Sequence, residues 1–546
     1  MRFTRRLLIL LLAVILLLSV SGCGILNFGQ DFEALLRSGG VSFDEMEYSR
    51  PDTEEITDCA AEICHMLDSG AGYRKVVSAL DTFYVYYWNF QTMYTLAEIR
   101  SDVDTSDEYY AEEYDYCCEA DAVVSSLFDE VMVACVESDL KDRLDYEYFD
   151  GMLEANYSGL YENGMEKLTE LYEQESELLI DYRDALIELY SYEDTNEAYK
   201  ACNEEMAQIY IDLVKLRHAE AREIGYDSYV EYAYDGFGRG YTADDLRDYI
   251  AAVKDKLVPL YFAVCENELK DEAYDALTPF SPDDSLELVK NTVSAMDGHL
   301  KKAMSYMLDY GLYDVSESES KLGGSYVIYI ADYNSPFLFV NPECYQEDIL
   351  TVAHEFGHFG DMFSNFGGDL DMDTSETMSQ GMEYLLLCNL EDRDLAKRLT
   401  DFKLCDTLSL YATQACFNEF EETVFSLPED ELTVDRVNSI YAELATAYGF
   451  GESYGDVVGL SWVDVNHLFE YPFYVISYCV SDSAAFNLYL TELEESGSGL
   501  EAYMELQADA AETDFLSLLD DKGLPSPISP ETVTRIADTI KSSLGL

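Results

Sequence analysis

His354-Glu355-Phe356-Gly357-His358 sets two imidazoles four residues apart, with a carboxylate beside the first. On a helix this spacing stacks both rings one turn apart on a single face, where they can converge on one metal ion. A zinc ion held by two histidines and one carboxylate keeps an open position for water and brings the pKa of that water towards neutrality. Glu355 is then placed to take its proton. Hydrolysis through a tetrahedral intermediate also needs a donor aimed at the developing oxyanion. His467, Tyr474 and Tyr478 are the candidates, with the two tyrosines four apart and expected on one helix face. In a chain with 45 tyrosines a single one signifies packing, so the combination carries the reading.

The elements that must position these groups are legible around them. Ile349, Leu350, Val352, Ala353, Phe356, Phe359, Met362 and Phe363 recur at helical spacing, which predicts a largely buried helix around the polar pair. The acidic, glycine-rich run 367–373 reads as a turn, and Glu376 to Glu383 as the start of a second helix whose first carboxylate can close a metal site. Gly323 to Ile330 and Ser335 to Asn341 read as strands, short, aromatic and β-branched between Gly, Pro and Asn. Before them, amphipathic patterns over 52–69, 71–100, 106–137, 162–191 and 194–225 predict long helices joined by short polar breaks.

The His-Glu-Phe-Gly-His motif, the loop after it and Glu376-x-x-Ser379-x-x-x-Glu383 together resemble the M3 family of zinc metallopeptidases, in its oligoendopeptidase F-like branch. Phe473-Tyr474-Val475-x-x-Tyr478 behind His467 is similar to a second family segment, as are Arg239-Gly240-Tyr241-Thr242 and the closing stretch through Gly523-Leu524-Pro525. The resemblance covers about 206–546. It implies a mostly α-helical, two-domain gluzincin with a small β-sheet beside the HExxH helix and a deep channel for short unfolded peptides. It also implies one zinc ion on His354, His358 and Glu376, with Glu355 as general base and then acid, and Tyr474 or Tyr478, with His467, at the oxyanion. In such enzymes an edge strand receives the substrate as an additional strand.

The chain departs from the family pattern in three places around these site residues, and Ala508 to Thr513 stands where a Gly-rich turn is expected. The interval 359–375 is shorter than usual, and Glu383 stands at the customary distance. Asp361 replaces a frequent histidine and reads either as an acceptor for a ligand imidazole or as a solvated helix residue. One extra residue separates His467 from the tyrosine pair. An M32-type zinc carboxypeptidase and a catalytically inactive peptide-binding protein of the same fold are the competing readings.

Arg2, Arg5 and Arg6 precede the apolar run Leu7 to Leu18, and Val20-Ser21-Gly22-Cys23 resembles a bacterial lipobox. Residues 1–22 are therefore expected to be a lipoprotein signal, 23–46 a tether lipidated at Cys23, 47–205 an N-terminal helical domain and 206–546 the catalytic domain. The expected location is the extracytoplasmic face of a cell membrane. A formal charge of −76, spread along the chain, opposes binding to nucleic acid or anionic lipid. Twelve cysteines remain beyond Cys23 without C-x-x-C pairs, and those at Cys265, Cys388 and Cys479 lie in apolar helical patterns as buried thiols. His65, His218 and His299 read as structural.

Overall fold

In the computed structural model the described residues are 40–149, 151–153, 157, 165–192, 194–367, 371–510 and 513–546. The leader and the Cys23 lipidation site lie outside them. Two compact units are present, the first drawn from the chain up to Gly164 with Lys302–Pro342 and Met362–Gly368, the second from Met165–Lys301, Glu343–Asp361 and Asp369–Leu546. The expected boundary at 205 falls inside a helix of the second unit, Thr195–Ile224.

The first unit is built on α1 (Thr53–Asp68), α2 (Tyr73–Val103) and α3 (Glu108–Glu137). Asp52 and Asp107 cap α1 and α3 by accepting from first-turn amides, satisfying donors that a helix start leaves unpaired. Ile56, Ile63, Leu80, Phe83, Val124 and Val131 form the buried seam between the three. The sheet consists of β1 (Tyr313–Asp314), β2 (Gly324–Ile330) and β3 (Ser335–Asn341) in the order β1-β3-β2, with β2 antiparallel and β1 parallel to β3. β3 is central and almost wholly buried, whereas β2 is an edge. The buried Lys321 ammonium donates to Asp314 Oδ1 (2.7 Å), Ser316 O (3.0 Å) and Val340 O (2.6 Å), tying β1 to β3.

The second unit begins with α4 (Met165–Tyr190) and α5 (Thr195–Ile224), which ends at Gly225 in the left-handed conformation that glycine adopts without strain. Its site-bearing helices are α6 (Asp348–Asn365), which belongs to this unit up to Asp361, α7 (Met372–Asn389), α8 (Arg393–Phe425), α9 (Ile476–Glu494) and α10 (Ser498–Asp509). Apart from Ser375, α7 is buried from Asp373 through Leu387, so each polar residue on it needs a partner in the protein. The second helix starts earlier than the sequence pattern indicates, because Asp371 caps it by accepting from the Thr374 amide (2.9 Å). Thr242 closes a turn with Asp245, and the helix that follows begins at Arg247.

All twelve described cysteines are unbridged, and Cys265 is exposed and Cys388 half-buried, against the expectation that both are packed. No helix among the described residues is long and apolar enough to cross a membrane.

Burial raises several carboxyl groups: Glu98 to about 7, with Asp102 adding repulsion, and Glu220 and Glu421 each to about 8. Their folded pKa values exceed the unfolded value of about 4.3. Stability held by the neutral forms is thus complete below that value and lost as pH rises through 7–8. The melting temperature of chelator-treated protein is expected to rise as pH is lowered from 8.5 to 6, with a shallower profile in Glu421→Gln. A flat or falling calorimetric profile over that range overturns this.

Candidate metal centre

α6 carries His354, Glu355 and His358, and α7 carries Glu376. Gly357 lets the two helices meet: a Cβ there would lie 2.6 Å from Met378 O and from the Ser379 Cα. Any larger residue at 357 would push α7, and Glu376 with it, away from the imidazoles. In the observed packing the Glu376 Oε2 lies 3.7 Å from His354 Nε2 and 3.9 Å from His358 Nε2. One ligand atom from each of the three lies within 4.8 Å of the others, and among the described residues this is the one such group of histidine, cysteine or acidic side chains. Zinc bonds of about 2.0–2.1 Å in tetrahedral array require donors about 3.3 Å apart, so the set fits the ion with a small inward adjustment. Both imidazoles keep some exposure, 25% and 14% of their side chains, as a centre that admits substrate requires.

The groups behind the donors set Glu376 and Glu383 apart. Glu383 Oε1 lies 2.9 Å from His354 Nδ1, the ring nitrogen away from the cluster, and its Oε2 takes an ion pair from Lys403 Nζ at 2.7 Å. Both oxygens are engaged, and Glu383 orients the ligand from outside the donor set. Burial opposes ionisation of Glu383, but the Lys403 ammonium outweighs it and holds the carboxyl below its usual range. Burial likewise opposes a proton on His354, and the Glu383 carboxylate overcomes it, raising the imidazole to about 9. His358, buried beside that ring, is pushed down to about 3. Its Nδ1 lies 3.2 Å from Ser375 Oγ, so serine is the outer partner here. Asp361 is buried, which overturns its reading as a solvated residue, and its charge bears on Tyr503. Glu376 is raised by burial and its Oε2 accepts from Ser379 Oγ at 3.1 Å.

Tyr474, Tyr478 and His467 come together as a ring cluster. The tyrosine centroids are 5.3 Å apart, and His467 lies 5.3 Å from Tyr474 and 6.2 Å from Tyr478. The expected shared helix face is not how this happens. α9 starts at Ile476, and Phe473 just before Tyr474 has φ +66°, which breaks any helix upstream. Tyr474 thus reaches the cluster from a turn and Tyr478 from the first turn of α9. The charges of Glu376 and Glu355 both act on Tyr478, and that of Glu376 on Tyr474, joining the cluster to the donor set. His218 Nε2 meets Phe425 O at 3.0 Å, in keeping with a structural role.

Residues 43–156 match the Peptidase M3 N-terminal domain family. No curated protein sequence matches the chain. Among solved structures, one provisionally named oligoendopeptidase F superposes with a TM-score of 0.74 at 22% identity, covering 92% of this chain and 99% of that one. PZ peptidase A with an inhibitor gives 0.74 at 21%, covering 92% and 99%. A Bacillus anthracis structure, also provisionally named oligoendopeptidase F, gives 0.70 at 21%, covering 92% and 98%. Residues 43–156 thus carry the M3 peptidase N-terminal domain, and the chain as a whole has the fold of the oligoendopeptidase F structures. Sequence reasoning missed three residues that shape the centre: Gly357, Ser375 and Lys403. Gly357 was legible in principle, since a glycine in the interior of a buried helix marks a close approach. Lys403 lies in the middle of α8, and nothing local to the sequence ties it to residue 383.

Proposed function

We propose that the chain is a zinc-dependent endopeptidase that hydrolyses short unstructured peptides, exported and held at the extracytoplasmic face of a membrane by lipid on Cys23. The observation that carries the catalytic part is the convergence of His354, His358 and Glu376, with Glu355 on the same helix and the tyrosine pair beside them. Those three residues would hold the zinc ion, which would supply a Lewis acid to polarise the scissile carbonyl and acidify water. Glu355 takes the proton of the attacking water and returns it to the leaving amine. Tyr474 and Tyr478 donate to the oxyanion, and His467 packs on both rings and fixes where their hydroxyls point. Glu383, held ionised by Lys403, keeps His354 in one orientation.

The test is digestion of a mixed-length peptide library by the zinc-loaded chain from Gly24, with products sequenced by mass spectrometry. Internal cleavage of short peptides, with folded proteins left intact, is the expected result. Release of single carboxy-terminal residues alone would instead fit an M32-type carboxypeptidase, and stoichiometric zinc without any cleavage an inactive binding protein. Lipid labelling of the full-length chain that survives Cys23→Ser would sink the anchoring part.

A further inference from the structure

Arg239-Gly240-Tyr241 is a motif that the catalytic reading leaves without a task, yet it touches both halves of the centre. On one side lies the turn that delivers Tyr474. Phe473 is fully buried and held in a left-handed conformation that side chains rarely adopt, so its neighbours must impose it. Its amide donates to Glu421 Oε1 at 2.9 Å, and Arg239 Nη2 donates both to Phe473 O and to Ser477 Oγ, each at 2.7 Å. The guanidinium is itself fixed over the rings of Tyr234 and Phe237, 4.5 and 4.8 Å from their centroids, and Phe237 packs edge-on against Tyr474.

On the other side lies the first turn of α7. Tyr241 donates to Asp373 Oδ2 at 2.6 Å, and Asp373 stands one turn before Glu376. Arg239 and Tyr241 stand two residues apart, so this one segment holds both the tyrosine turn and the helix bearing the carboxylate donor.

We propose that Arg239 and Tyr241 are positioning residues that set the tyrosine hydroxyls against the metal-binding helix, so that the oxyanion donors are in register with the attacking water. This rests on the role given to Tyr474 and Tyr478 above. A displacement of about 1 Å in such a donor costs about a hundredfold in rate. Arg239→Met is therefore expected to lower kcat by about a hundredfold, with KM, zinc content and melting temperature near wild type. Arg239→Lys should recover part of the loss, since an ammonium can still reach Phe473 O. Ser477→Ala, which removes only the hydroxyl that Arg239 reaches, should lower kcat by about tenfold; it serves if Arg239→Met does not fold.

The deciding measurement is a double-mutant cycle on the zinc-loaded enzyme. In a Tyr474→Phe/Tyr478→Phe background, itself expected to lose about 10²–10³ in kcat, the Arg239 change should cost little more. A full additional penalty in that background, or a drop in melting temperature with kcat unchanged, overturns the positioning role. If the double tyrosine variant alone keeps wild-type kcat, the oxyanion assignment fails first and the positioning proposal falls with it.

Discussion

Glu355→Gln is expected to keep its zinc and lose its turnover, with kcat lower by about 10²–10⁴-fold, the range a positioned general base contributes. Glutamine matches the shape of glutamate, so a side chain that is only 4% exposed is replaced without a cavity. The donor set consists of His354, His358 and Glu376, and the substitution touches none of them. What it removes is the one carboxylate on α6 that can accept a proton beside the donors, together with the charge that bears on Tyr478. Metal content by mass spectrometry and turnover of a fluorogenic peptide on the same sample check this. Activity within tenfold of wild type, at equal zinc, would mean that another group takes the proton.

Long-period patterns reported the fold well because burial of one helix face leaves a mark in every third or fourth residue. The five early helices end within a few residues of the pattern's limits, and both expected strands are present. The grouping of His354, Glu355 and His358 was legible for a related reason: a helix fixes what lies at i and i+4 without help from the rest of the chain. Legibility failed where position depends on packing between distant segments. The pairing of Glu383 with Lys403 joins α7 to α8, and the spacing rule that pointed to Glu383 as a donor cannot see that both its oxygens are already taken. The Tyr474–Tyr478 pair came together for a different reason from the one the i, i+4 spacing suggested. The left-handed Phe473 is imposed by Glu421 and Arg239, far away in sequence, and local propensity argues against it.

Glu376→Gln and Glu383→Gln are expected to separate in two measurements, and the crossing of the two results identifies the donor. Glu376 supplies the carboxylate of the donor set, so its loss should cost more zinc affinity than the roughly 10–100-fold that removal of an outer partner costs. The chelator-treated protein should hold its melting temperature, because burial already holds this carboxyl above its usual pKa and its ionised form adds little to the fold. Glu383→Gln should show the opposite balance. Zinc affinity falls by about 10–100-fold as His354 loses its acceptor on Nδ1. Stability falls too, because Lys403 is left buried without its ion-pair partner, a loss of about 3–5 kcal/mol when a buried pair is broken. Asp482 and Asp406, whose charges also act on Lys403, soften that loss without replacing the contact. Zinc affinity by chelator competition and calorimetry of the metal-free variants are the two readouts. The reverse pattern, with Glu383→Gln unable to hold zinc and Glu376→Gln the destabilised variant, would transfer the donor role to Glu383 and require α7 to turn when the metal binds.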